Sequence, residues 1–204
     1  MTFALLEHQE TVLPKLASGK VLLGGTGSGK SVTAMAYFTG RSTGKTIYII
    51  TTAKKRDKGE WFEDAMKMSL RNPIVVESWN NIEKFIDVED AFFIFDEQRL
   101  VGSGAWVKHF YKIAAKNAWL LLSATPADTW MDLVPLFIAN GFYRNKTEFN
   151  NMHVRFSRFT KYPKVDGYLD TWLLAKYRDQ LYVEMPFERT TTRVEHIVEV
   201  EFDH

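Results

Sequence analysis

The feature that most restricts this chain is an eight-residue run, Gly24-Gly25-Thr26-Gly27-Ser28-Gly29-Lys30-Ser31. It lies between the apolar Val21-Leu22-Leu23 and the helix-like stretch Ser31 to Thr39. A plain strand-to-helix turn needs one or two glycines, whereas this run carries four, followed by Lys-Ser. It matches the pattern G-x-x-x-x-G-K-S/T in the strand–loop–helix context that gives the pattern meaning. Glycines let successive backbone N–H groups wrap a phosphate, and the start of a helix adds the positive end of its dipole. Gly25, Thr26, Gly27, Ser28 and Gly29 are therefore expected to cradle ATP. Lys30 is expected to reach the β- and γ-phosphates, and the Ser31 hydroxyl to ligate Mg2+.

The rest of the first two-thirds alternates short apolar runs with helical patterns. Thr46–Ile50, Ile74–Val76, Ala91–Phe95 and Trp119–Leu122 are near-continuously apolar, as strands covered on both faces are. Helices are expected over Ser31–Thr39, closed by Gly40, over roughly Lys58–Ser69 and over Ala105–Lys116. This alternation predicts an α/β fold with a mainly parallel sheet flanked by helices. After residue 126 the pattern turns to helices and irregular segments, a C-terminal extension over 127–204. Thr125 is expected to cap a helix with Pro126 in its first position, and Pro135 to bend or interrupt it. A further helix is expected over Leu169–Gln180, and a half-buried strand over Val194–Phe202.

The fourth apolar run ends in two acids, Asp96-Glu97. A carboxylate at the end of a strand beside a phosphate-binding loop can hold Mg2+, which assigns Asp96. Glu97 is suitably placed to orient or deprotonate an attacking water, which favours hydrolysis over transfer to a small acceptor. Lys30, Asp96 and Glu97 form the expected catalytic set.

Composition sets broad limits. With 204 residues, 46% of them apolar, and six Trp and fifteen Phe, the chain can bury the core of one sizeable domain. The absence of cysteine removes disulfides, thiolate metal sites and cysteine nucleophiles, and fits a reducing compartment. No basic segment followed by an apolar run opens the chain, and no apolar stretch is long enough to span a bilayer, so a soluble cytoplasmic protein without a membrane partner is expected. The net charge of +1 hides segregation. Residues 41–58 carry six cations against Asp57, and a second basic segment gathers Arg144, Lys146, Arg155, Arg158, Lys161 and Lys164 against Glu148. Such clusters either steer an anionic polymer to one face or form ordinary solvated surface. The second segment is also aromatic-rich, from Phe142 to Lys164, and suits either a nucleic-acid contact or amphipathic packing.

Directly after the fifth apolar run stands Ser123-Ala124-Thr125-Pro126. A glycine-rich phosphate loop, then Asp96-Glu97-Gln98-Arg99, then Ser-Ala-Thr, in this order and spacing, resembles the first RecA-like motor domain of superfamily 2 helicases and translocases. Asp128–Leu133 and the later Arg178 and Val183–Pro186 resemble the Swi/Snf-like branch of these DEAD/DEAH-box-type enzymes, and the whole chain resembles its phage-encoded DNA helicases. The family pattern departs at Gln98-Arg99, where Asp-Glu-x-His is usual. The resemblance implies that Ser123 and Thr125 couple nucleotide state to nucleic-acid movement. It implies contacts to nucleic-acid phosphates from Thr52, Lys54 and Lys55 after the second run and from Ser78 after the third, with DNA favoured over RNA. It also places an adenine-reading glutamine near Gln9. A helix starting near Glu7 turns Gln9 inward with Leu13 and Leu16, whether as an adenine contact or as a polar residue at a helix end. Trp79 reads as core or as a stacking residue.

A motor of this kind has a second RecA-like domain, which supplies arginine fingers across the ATP cleft. About eighty residues follow Thr125, too few for it. The expectation is a monomeric first motor domain, working in the host cytoplasm if phage-encoded, that alone binds ATP weakly and hydrolyses it slowly. The alternative is a stand-alone nucleotide-dependent DNA-binding module or regulator.

Overall fold

The structure, a computed structural model, describes residues 3–41, 44–96, 100, 102–125, 127–160 and 162–186. The elements run in chain order from α1 (Glu7–Val12) through β1 (Lys20–Leu23), α2 (Lys30–Thr39), β2 (Ile47–Thr51), α3 (Ala53–Lys58) and α4 (Glu60–Lys67) to β3 (Ile74–Ser78). A 3₁₀ segment, Trp79–Phe85, leads to β4 (Phe92–Asp96), α5 (Ala105–Ala114) and β5 (Ala118–Ser123). Then come α6 (Trp130–Ala139), α7 (Lys146–His153), β6 (Val154–Phe156), β7 (Val165–Tyr168), α8 (Thr171–Leu181) and β8 (Tyr182–Glu184).

Six strands form one all-parallel sheet in the order β3-β2-β4-β5-β1-β8, with helices on both faces. Alternation along β4 shows why its whole run is apolar. Phe92 and Ile94 join a core layer with Met35 and Phe38 of α2 and Trp61 of α4. Phe93 and Phe95 enter the opposite layer with Phe110 of α5 and Phe137 of α6. A strand buried on both sides leaves no position for a polar residue until it ends, and β4 ends in Asp96.

The order of strands fixes where the loops converge. From β1 to β2 to β3 the chain steps one way along the sheet, and from β3 through β4 and β5 to β8 it steps back. Crossovers of one hand place these two sets of helices on opposite faces. Neighbours β1 and β5 therefore send their outgoing chains to different faces, as do β2 and β4. A crevice opens at the carboxyl ends of such a pair, the place where open α/β sheets bind ligands.

The helix expected over roughly Lys58–Ser69 is α4, which starts at Glu60 because Gly59 takes a left-handed φ of 71° after α3. Two expectations are corrected in detail. Thr125 does not cap a helix; α6 begins at Trp130, capped by Thr129, whose backbone N–H donates to Asp132 at 2.9 Å. Pro135 sits within α6 without ending it. A proline in a helix interior costs about 3 kcal/mol, but Leu133, Val134, Leu136 and Phe137 around it are buried, at about 1.5–3 kcal/mol each. Burial wins. The extension also contains the antiparallel pair β6–β7 and returns to the main sheet through β8 beside β1. Pro126 and the strand expected over 194–202 lie outside the described residues.

Candidate functional site

Both crevices hold residues singled out by the sequence. At the β1–β5 crevice the glycine loop leaves Leu23, and its first amide, Gly24 N–H, donates to Ser123 O at 3.1 Å. Gly27 and Gly29 have φ of 87° and 79°, left-handed values that suit glycine. The loop is packed at its ends and open in its middle. A Cβ on Gly24 would come within 2.6 Å of Ser28 Oγ, and one on Gly29 within 2.1 Å of Gln9 Nε2. On Gly25 or Gly27 it would meet nothing within 4 Å. The open middle faces the first turn of α2, whose N–H groups have no partner within the helix. Such a cradle suits an anion. Lys30 Nζ closes it, donating to Gly24 O at 2.5 Å and Gly25 O at 3.0 Å. Ser31 follows in the same turn, and Thr26 lies exposed on the loop.

Helix α1 is docked against this loop. His8 Nε2 donates to Ser28 O at 2.9 Å, and Ser28 itself is buried with its hydroxyl 3.8 Å from Met185 Sδ. Gln9 is buried, as its spacing from Leu16 predicts, and its Oε1 accepts the Leu6 N–H at 2.9 Å. One side of the amide thus fixes the start of α1, while Nε2 lies against Gly29.

Asp96 ends β4 at the second crevice. It is 2% exposed, and Oδ2 accepts from Thr51 Oγ1 at 2.9 Å and Lys55 Nζ at 3.1 Å. The backbone carbonyl of Asp96 accepts the Trp79 indole N–H at 3.1 Å, and Trp79 is buried in the core. That resolves Trp79 as a core residue. Strand β5 separates β4 from β1, so Asp96 and the glycine loop stand about 10 Å apart at the backbone. Glu97, Gln98 and Arg99 lie outside the described residues. Among the described residues no group of three or more His, Asp or Glu side chains is arranged to hold a metal ion. A Mg2+ shared by Ser31 and Asp96 would draw its other ligands from water and a bound phosphate, as this ion commonly does.

A groove of about 600 Å³ continues along the same edge, lined by Thr51, Thr52, Ser78, Asn80, Ser123 and Thr125, with Trp106 beside them. Four expected residues from three separate loops are thereby brought together: Thr52, Ser78, Ser123 and Thr125. Ser123 Oγ donates to Thr125 O at 2.7 Å, which folds the Ser-Ala-Thr segment into a tight turn. Lys54 is exposed on α3, whereas Lys55 turns its ammonium to Asp96 instead of lining the groove. Trp106 escaped the sequence reading. Its ring is 43% exposed and 6.1 Å from that of Trp79, and a lone Trp in the first turn of a helix gives no local sign of this.

Glu77 braces the groove from behind. Its carboxylate accepts from Ser78 N–H at 2.7 Å, Arg56 at 2.6 Å and Lys84 at 3.3 Å. Burial works to raise its pKa, but the hydrogen bonds from Ser78, Arg56, Asn81 and Lys84 outweigh this and hold it at about 2. The unfolded chain keeps an ordinary value of about 4.3, so between these values the unfolded state binds more protons. The contribution of Glu77 to stability is complete above about pH 4.3 and lost as pH falls through about 2. Thermal melts of the wild type and Glu77→Gln between these limits should show a stability gap that narrows with acidity; a constant gap would contradict the assignment.

The sequence matches no protein-family model, and no curated protein matches it closely. Among the described residues no helix is long and apolar enough to cross a membrane.

Proposed function

We propose that this chain is a RecA-like domain that binds and hydrolyses ATP and couples hydrolysis to movement along nucleic acid, as the first motor domain of a superfamily 2 DNA helicase or translocase. One observation carries most of this reading. Ser123 contributes its backbone carbonyl to the first amide of the glycine loop and its neighbourhood to the groove. In this reading a change in the loop would reach the groove through Ser123.

In this reading the glycine loop is a P-loop. Gly25 to Gly29 present amides to the phosphates, and Lys30 exchanges its loop carbonyls for β- and γ-phosphate oxygens. Gln9, whose Nε2 lies against Gly29, would read the adenine edge. Ser31 and Asp96 would hold Mg2+, which would neutralise charge on the phosphates. Glu97 orients the attacking water. The hydroxyls of Thr52, Ser78, Ser123 and Thr125 contact a phosphate backbone, without reading sequence. Lys54 adds charge at the rim. Lys55, bonded to Asp96, would hold that carboxylate in place beside the groove. A second RecA-like domain would complete the cleft, and the cytoplasm is where such a motor meets its substrate.

Phosphate release should be measured from this chain, and from any longer product of its reading frame, with single-stranded DNA, duplex DNA, RNA and no nucleic acid. Stimulation by DNA is expected. Hydrolysis indifferent to every nucleic acid would instead favour a nucleotide-dependent binding module.

A further inference from the structure

The β6–β7 hairpin leaves large aromatic side chains in water. Phe159 is 99% exposed, Tyr162 74% and Phe156 40%. Large apolar surface left in water is unfavourable and, when grouped, marks a contact site. The base of the hairpin shows that burial was open to aromatics in this region. Tyr143, Phe149 and His153 are all buried there. His153 Nδ1 donates to Leu169 O at 3.2 Å, which leaves Nε2 to accept the Tyr143 hydroxyl at 2.8 Å. Ladder bonds from Leu169 N–H to His153 O and from Ser157 N–H to Lys164 O, both 2.8 Å, complete a stiff stalk. Packed aromatics hold the stalk, and solvent-exposed ones cover its tip.

The charge of the hairpin is one-sided. Residues 154–168 contain Arg155, Arg158, Lys161 and Lys164 against Asp166 alone. Arg155 lies across the opposite strand, its Nη2 3.3 Å from where a Cβ on Gly167 would stand. Arg155, Arg158, Phe156 and Phe159 border one depression of about 410 Å³. Guanidinium groups beside open rings complement a polymer that offers both phosphates and flat, unpaired bases. A duplex hides its base faces, so a single strand is the better match.

The location agrees. Strand β8 runs parallel to β1, with Tyr182 opposite Val21, so α8 must travel from the carboxyl edge of the sheet back to its amino edge. The hairpin delivers the chain to the start of α8 and so stands at the carboxyl edge. Met131, in the first turn of α6 just after the Ser-Ala-Thr turn, borders a second depression with Phe156 and Ser157 of the hairpin. The hairpin therefore shares its edge with the groove.

We propose that the β6–β7 hairpin is a second binding site for single-stranded nucleic acid, with Phe159 and Tyr162 stacking on bases and Arg155 and Arg158 pairing with phosphates. The site deepens the proposed function, since it takes the same polymer as the groove, but its chemistry does not require ATP.

The test uses the full chain and an oligodeoxythymidine of about 20 nucleotides, followed by fluorescence anisotropy across a salt series, with an oligouridine arm to compare RNA. The double variant Phe159→Ala, Tyr162→Ala should weaken binding about tenfold or more, because stacked bases each contribute substantially. The variant Arg155→Ala, Arg158→Ala should lower the slope of log affinity against log salt by about 1.4. Nucleotide affinity and duplex affinity should be unchanged in both, and circular dichroism checks the fold. Wild-type binding that both variants retain in full overturns this site while leaving the proposed function standing. A wild type that binds no nucleic acid overturns both. Loss of binding to phosphatidylserine vesicles, with oligonucleotide binding intact, overturns it in favour of a membrane surface.

Discussion

Replacing Lys30 with alanine is expected to weaken Mg2+–ATP binding roughly a hundredfold, about 3 kcal/mol, and to abolish hydrolysis. The ammonium lies 2.5 Å and 3.0 Å from the carbonyls of Gly24 and Gly25, at the mouth of a cradle whose central glycines face open space. Without it, three phosphates would enter a site whose remaining positive charge is the partial charge of amides and a helix end. Alanine is the best helix former, so α2 should persist and melting of the unliganded protein should change little. Titration with a fluorescent ATP analogue decides the matter. Undiminished affinity would remove the glycine loop from any role in nucleotide binding.

The largest loss of stability is expected from Phe95→Ala, about 4 kcal/mol in urea denaturation. Phe95 is fully buried, with ring centroids 5.0 Å from Phe110, 5.5 Å from Trp79, 5.7 Å from Phe93 and 6.3 Å from Trp119. Four aromatic neighbours cannot close around an alanine without moving a strand or a helix, so most of the cavity should remain. Domains of this size are stable by about 5–15 kcal/mol, so a large part of the margin disappears. The site should suffer with it. Trp79 is held between Phe95 and the Asp96 carbonyl, and Trp79 in turn underlies the groove. A loss below about 1 kcal/mol would mean that the aromatic layer is far looser than its contacts suggest.

The sheet was readable wherever a strand is sandwiched between helices. The runs at 21–23, 46–50, 74–76, 91–95 and 119–122 fall within one or two residues of β1 to β5; burial on both faces imposes the run in β1, β2, β4 and β5, and in the half-buried edge strand β3 the β-branched Ile74-Val75-Val76 marks it. The shorter strands left no such mark. Tyr182-Val183-Glu184 is a strand because β1 offers it a ladder, and Val154-Arg155-Phe156 because β7 does. Neither segment is long enough for alternation to declare itself. The inward turn of Gln9 was legible from helical spacing, whereas its bond to the Leu6 amide was not. The pairing of Lys55 with Asp96, across 41 positions, has no local signature at all. Nor does the place of Pro135, where a local rule about prolines yields to the burial of four neighbours. Convergence of Thr52, Ser78, Ser123 and Thr125 on one groove follows from strand order, which the sequence suggests only by resemblance.

The position of β8 has a consequence for how the molecule is made. Strand β1 acquires its neighbour β5 about 100 residues after its own synthesis and its neighbour β8 about 160 residues after it. At typical translation rates of about 5–20 residues per second, β1 remains an open edge for on the order of 10–30 s. An unpaired edge is a template for wrong partners, and lysine is one of the residues that blunts it. Lys20 opens β1, and in the finished fold its ammonium donates to the carbonyl of Gln180, next to the strand that closes the edge. Met185, whose sulfur lies 3.8 Å from the Ser28 hydroxyl, arrives with that strand. The nascent chain thus completes the wall behind its glycine loop only when nearly all of the described fold has been synthesised, so a ribosome stalled before residue 182 should hold a chain whose glycine loop lacks that support.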